Sequence, residues 1–141
     1  MFDSLHSTKF ENAIGPVVVA DNTAQVGAWI DRSGFQSLTF AIQTGTIATS
    51  GATFTVTMDE ADASNQSDAA AVDVGDQISA VAGEDPETAA SFTGANANST
   101  FKIGYIGIKR YVRITITPTS NSGNAALSAV AALGHANLRP V

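Results

Sequence analysis

Four stretches of the chain repeat with a period of two. Leu38, Phe40 and Ile42 alternate with Thr39, Ala41 and Gln43; Phe54, Val56 and Met58 alternate with Thr53, Thr55 and Thr57. Val112, Ile114 and Ile116 alternate with Arg113, Thr115 and Thr117, and in Gln25–Asp31 the residues Val26, Ala28 and Ile30 oppose Trp29. Successive side chains of a strand point to opposite faces, so each stretch predicts a strand with one apolar and one polar face. Their Thr, Val and Ile content suits a pleated, half-buried surface. Strands wetted on one side belong to antiparallel sheets.

The intervals between these stretches carry turn residues. Asp31-Arg32-Ser33-Gly34, Thr44-Gly45 to Ser50-Gly51, and Ser120-Asn121-Ser122-Gly123-Asn124 after Pro118 each predict a turn or short loop. Ala125–Gly134 is ambiguous: its alanines favour helix, but its place after a turn and a strand favours a returning strand, and we read it as a strand. From about 59 to 100 the chain is acidic, rich in Ala, Asp, Ser, Asn and Gly, and long enough that one or two short strands are expected within it. Residues 1–16 precede the first apolar run, Val17–Ala20, and read as an N-terminal arm whose irregular hydrophobes, Phe2, Leu5, Phe10 and Ile14, contact another surface or cover an open edge of the domain. Together these elements predict an all-β fold: an antiparallel β-sandwich or jelly-roll-like barrel, as one domain over 17–141 with the arm before it.

Composition narrows the function. Of 141 residues 24 are alanine, only 14% are charged and none is cysteine, which removes disulfide frameworks, thiolate catalysis and cysteine-held metals. Between Arg32 and Lys102 there are nine of the thirteen acids and no Lys or Arg; that interval sums to −9 and the rest of the chain to +3. Such a balance disfavours nucleic acid, which needs concentrated positive charge, and suits contact between unlike protein surfaces. No apolar run approaches the ~18 residues of a membrane helix, and Met1–Phe10 has no export-signal pattern.

Candidate chemistry is sparse. His6 and His135 lack neighbouring ligands at metal spacing, and no serine sits in a nucleophile elbow. Asp59–Asp68 offers alternating oxygens but lacks the turn glycine and closing acid of a calcium loop, so an acidic solvated turn is the better reading. Gly104-Tyr105-Ile106-Gly107 is expected to form a bulge or close backbone contact, and two sequon-like triplets, at Asn65 and Asn98, mean nothing without export. Lys109, Arg110 and Arg113, with Tyr111 on the Arg113 face, form a cationic, partly aromatic patch that serves either contact or edge protection. No catalytic, cofactor or metal residue is expected, and the chain is not read as an enzyme.

The segment FKIGYIGIKRYV (Phe101–Val112) and its continuation to Val141, with Ile30–Ser37 and Val56–Asp62 before it, resembles small structural proteins of tailed bacteriophages, similar to capsid decoration, or cement, proteins. That resemblance implies a β-rich molecule on the outside of an icosahedral head, made in the host cytoplasm, with the major capsid protein as partner and a homo-oligomeric state such as a trimer. It implies no catalytic residue, nucleic acid, membrane or small-molecule substrate. Phe2, Leu5 and Phe10 are the first expected contacts, with Lys109, Arg110 and Arg113 after them; deleting 1–14 is expected to abolish attachment while the domain stays folded. A head–tail connector, tail-completion or tail-tube role is the nearest alternative. Lys109–Ile116 (KRYVRITI) also resembles the late strand of jelly-roll carbohydrate-binding modules, but Trp29, Tyr105 and Tyr111 are a thin supply of sugar-stacking rings.

Overall fold

A computed structural model describes residues 3–137. Eleven strands form two antiparallel sheets around one core: β1 (Lys9–Val19), β2 (Gln25–Val26), β3 (Ile30–Asp31), β4 (Phe35–Ile47), β5 (Thr53–Ala61), β6 (Ala70–Ala71), β7 (Gln77–Ile78), β8 (Phe92–Thr93), β9 (Thr100–Tyr105), β10 (Tyr111–Thr119) and β11 (Ala125–Ala136). The first sheet runs β1-β11-β4-β9-β7; the second runs β2-β10-β5-β6, with β3 also on β10 and β8 on β5. The result is a β-sandwich, not a closed barrel.

The alternating stretches behave as their period dictates. Leu38, Phe40 and Ile42 on β4, Phe54, Val56 and Met58 on β5, and Val112, Ile114 and Ile116 on β10 are all buried between the sheets. The ambiguous alanine-rich segment is β11, a central strand between β1 and β4, and Ala125, Leu127, Ala129, Ala131 and Leu133 face the core. Tertiary pairing on both sides outweighs the helix propensity of alanine.

Two expectations change. The arm over 1–16 is separate only up to Thr8, because Lys9–Val19 is the edge strand β1, hydrogen-bonded to β11. Ala13 and Ile14 are core residues, so deleting 1–14 removes more than half of β1 together with part of the core and would not leave the domain intact. Gln25–Asp31 is likewise not one strand. The chain breaks at Gly27, which donates to Ile114 O, while Ala28 N reaches Ala13 O, so Val26 turns outward although Ile30 is buried. A Cβ on Gly27 would lie 2.5 Å from Ile114 O, so the crossing requires glycine.

The acidic segment holds three short strands, a 3-10 turn at Val74–Asp76 and one short helix, α1 (Pro86–Ala90). The helix completes an edge. Between its pairings with β8 and β6, β5 has two unpaired N–H groups; Val56 N donates to Ser91 Oγ (2.9 Å) and Met58 N to Glu87 Oε1 (2.9 Å). Side chains thus stand in for a missing strand and close an edge open to pairing. Asp85 caps α1 by accepting from Thr88 N, and Pro86 takes the first helical position.

Candidate interaction surface

The strand directions give the sandwich two unlike ends. One joins β4 to β5, β8 to β9 and β10 to β11 by loops that carry Gly51, Gly94 and Gly123. At the other end β9 finishes at Tyr105, loop 106–110 crosses to β10, β5 finishes at Ala61, and β1 begins. Five of the seven basic residues, Lys9, Arg32, Lys109, Arg110 and Arg113, belong to this second end.

Tyr105 is 1% exposed and forms its foundation. Its hydroxyl donates to Glu60 Oε2 (2.6 Å) and accepts from Lys109 N (3.0 Å). Burial and then the Glu60 bond push the phenol well above the ordinary tyrosine range. Gly107 lies against that hydroxyl so closely that an added Cβ would sit 2.4 Å from it, which explains the second glycine of Gly104–Gly107. The first is also a close contact, since Ile78 packs over Gly104.

Arg32 holds the loop from the other side. Its Nη2 donates to Gly107 O (2.7 Å), its Nε to Lys109 O, its backbone N to Arg110 O (3.0 Å), and its guanidinium lies 5.2 Å from the Tyr105 ring centre. Arg110 N donates to Asp62 Oδ1 (3.1 Å), and Ile106 N to Asp76 O (2.8 Å). Six backbone groups of a five-residue loop are therefore fixed by named partners. At its crest Ile108 is 89% exposed.

The cations expected to reach outward are paired within the chain. Lys109 Nζ donates to Asp62 (2.8 Å), Arg110 grips both oxygens of Asp31 (3.0 and 2.7 Å), and Arg113 Nε donates to Asp59 (3.1 Å). The Arg110 bond holds Asp31 below the usual carboxylate range, with Lys9 adding to the effect; the Lys109 bond does the same for Asp62. Part of the −9 interval thus meets part of the +3 remainder inside one fold. Arg113 also covers the Trp29 ring at 4.5 Å and Arg110 the Tyr111 ring at 5.1 Å, so these faces are not open platforms for a sugar.

Of the expected contact residues, Phe2 lies outside the described residues. Leu5 is 74% exposed on a turn in which the Leu5 and His6 N–H groups donate to Asp3 Oδ1, just ahead of β1 and hence at the Tyr105 end. Phe10 is 67% exposed but sits on the outer face of the first sheet, opposite Ala132, so it does not join the Lys109–Arg113 group. The loop Asp62–Asp68 is closed by the Asp68 carboxylate, which accepts from Asp62 N (2.9 Å) and Ala63 N (3.0 Å), so both oxygens already have donors. His6 pairs with Asp3, and His135 Nδ1 lies 2.9 Å from Ser37 Oγ. Sequence reasoning missed Arg32, Glu60 and Ile108. The available signal was an arginine inside a turn and a glycine-framed tyrosine ahead of an isolated isoleucine. The chemistry of this end is that of a rigid, charge-paired surface with an apolar crest.

The sequence matches no protein-family profile and no curated protein. Among solved structures it is similar to the SPBc2 prophage-derived protein YomS, with TM-score 0.49 and 10% identity over 94% of this chain and 98% of that one. It is also similar to the CBM22-1–GH10 portion of Clostridium thermocellum endo-1,4-beta-D-xylanase 10B complexed with xylohexaose, with TM-score 0.43 and 15% identity over 93% of this chain and 25% of that one. At such values neither likeness carries a function across.

Proposed function

We propose that this chain is a structural protein of a phage particle that binds the outside of the assembled head through the Tyr105 end of its sandwich. The sequence resemblance supplies the setting. The observation that carries the reading is the 106–110 loop: an isoleucine 89% exposed between residues held through six backbone groups of Ile106, Gly107, Lys109 and Arg110. A lone exposed apolar residue needs no explanation, but one on a preorganised crest binds without the ordering penalty of a mobile loop. Leu5 adds a second apolar contact at the same end.

The mechanism is non-covalent. Each copy bridges neighbouring capsid subunits, many weak contacts add by avidity, and binding only the assembled shell stabilises that shell by mass action. Lys109 and Arg110 tie the loop to Asp62 and Asp31, and Arg113 pairs with Asp59 on β5, so all three charges are already matched. The test mixes purified empty heads with wild-type protein and with an Ile108→Ser, Leu5→Ser variant and counts copies per shell. The substitutions touch only exposed side chains, so melting should stay unchanged while occupancy falls at least tenfold. Full occupancy by the variant would sink the assignment of this surface. Immunolabel at one vertex or along the tail, in place of the whole head, would move the protein to the connector or tail reading.

A further inference from the structure

The cations of the Tyr105 end are matched, but the acids of the margin beside it are not. Among the described residues Glu11, Asp31, Asp59 and Asp62 pair with Lys or Arg. Asp73, Asp76, Glu84 and Asp85 form no such pair. Asp73 and Asp85 each accept one backbone N–H, from Gly75 (3.4 Å) and Thr88 (2.9 Å), and the sequence has no Lys or Arg from Ser33 to Phe101. Large apolar residues are interleaved with these acids. Val74, Ile78 and Val81 are half-exposed, and so is Ile106. β7 sets Ile78 opposite Gly104, and Ile106 N donates to Asp76 O (2.8 Å), so Ile106 adjoins both the turn of Val74 and the strand of Ile78. The backbone of this margin is held from beneath. The buried Gln77 donates from Nε2 to Val72 O (3.1 Å) and to Glu87 Oε1 (3.1 Å), and Asp76 N donates to Asp73 O (2.9 Å).

We infer that this margin docks on a positively charged patch of the major capsid protein, apolar at its centre; this names the chemistry of the partner and rests on head binding through the Tyr105 end. Continuity is the first argument. Ile106 opens the loop whose crest is Ile108, so margin and crest make one surface. Layout is the second. Asp73 and Asp76 flank Val74, and Glu84 and Asp85 follow Val81, which sets an apolar strip inside a charged rim as interfaces do. Sign is the third. An edge guarded only against strand pairing commonly uses lysine, whereas four carboxylates stand here and Lys102, lining the cleft beside Ile78–Ala80, is the one cation at the margin. Such a field draws a basic protein surface and repels nucleic acid. A second copy of the chain does not supply the basic patch. Its Lys9, Lys109, Arg110 and Arg113 are paired internally, and its Arg32 is bound to the carbonyls of Gly107 and Lys109.

Biolayer interferometry on immobilised empty heads tests the partner's sign. The variant carries Asp73→Asn, Asp76→Asn, Glu84→Gln and Asp85→Asn; asparagine caps a helix as well as aspartate does, so melting should stay unchanged. In about 0.1 M salt wild type should associate about tenfold faster than this variant. In about 1 M salt, where the screening length is ~3 Å, the two rates should converge. Val74→Ser and, separately, Val81→Ser should leave association alone and speed dissociation by about fivefold or more. Asp21→Asn, at the opposite end of the sandwich, should change neither rate. A wild type that binds heads but associates no faster than the amide variant would overturn the basic partner and leave head binding through Ile108 standing. Association that quickens as salt rises would also overturn it, by showing an acidic partner. A wild type that binds no heads would overturn the reading of the Tyr105 end and this inference with it.

Discussion

Replacing Tyr105 by Phe removes one oxygen from the centre of the 106–110 loop and keeps the ring. Two hydrogen bonds go with it, the 2.6 Å bond to Glu60 and the 3.0 Å bond from Lys109 N. A hydrogen bond to a charged group contributes about 1.5–3 kcal/mol. Glu60 is only half-buried and can regain water, which places its share near the lower end; the stranded Lys109 N–H adds to it. The expected loss is about 2 kcal/mol, or about 8 °C in Tm for a chain of this size. Urea titration of wild type and Tyr105→Phe gives the difference directly. Its pH dependence gives a second check. The folded phenol is raised above its unfolded value of about 10, so the folded state holds that proton more tightly. The stabilisation is complete below about pH 10 and is lost as pH rises beyond it. The difference between the two proteins should therefore be constant near neutrality and shrink in alkali. A difference below about 0.5 kcal/mol, or one unchanged at about pH 11, would refute Tyr105 as the foundation of the loop.

Three other outcomes are expected. Gly94→Ala should destabilise by at least about 2 kcal/mol in urea titration, because its Cβ would lie 1.9 Å from Thr49 O, while Gly51→Ala, with open space around it, should change stability by less than about 0.5 kcal/mol. Glu87→Ala should cost about 1–3 kcal/mol and speed amide exchange at Met58, whose N–H loses its acceptor; unchanged Met58 protection would mean that α1 does not complete the β5 edge. Asp31, Asp62 and Asp68 are all held below their ordinary values by hydrogen bonds, so their contribution is present above about pH 4 and is lost as pH falls through the lowered values. The urea midpoint should drop on acidification, and less so in Arg110→Ala, which lacks the Asp31 pair from the start.

How much of this was legible depends on the range of the interaction responsible. Period two over Leu38–Gln43, Thr53–Met58 and Val112–Thr117 is a local signal of burial between two sheets, and it gave the central strands correctly. β1 escaped because register shifts between Asn12 and Ile14 and between Ile14 and Val17 break its alternation. Gln25–Asp31 failed for the opposite reason: a regular alternation is interrupted at Gly27 by a backbone contact with β10. The ion pairs of Lys109, Arg110 and Arg113 join residues 47 to 79 positions apart, Lys109 to Asp62 and Arg110 to Asp31 at the extremes, and charge counting along the chain does not reveal such partners. It gave the sign of each segment but pointed to contact between molecules, where the fold places the pairs within one.

The outer face of the first sheet was legible in part, and its meaning depends on what alternates. On β5 the outward residues are threonines, which satisfy water with their hydroxyls. On β11 they are Ala126, Ser128, Val130, Ala132 and Gly134, of which Ser128 alone has a side chain that hydrogen-bonds water. Two sheets built by the same period-two rule therefore end with outer faces of different texture, one a ladder of paired threonines and the other small residues interspersed with Ser37, Thr39, Gln43 and Ser128. The ends of the sandwich lie along the strand axes and the outer faces across them, so a substitution on either outer face leaves the Tyr105 end as it is.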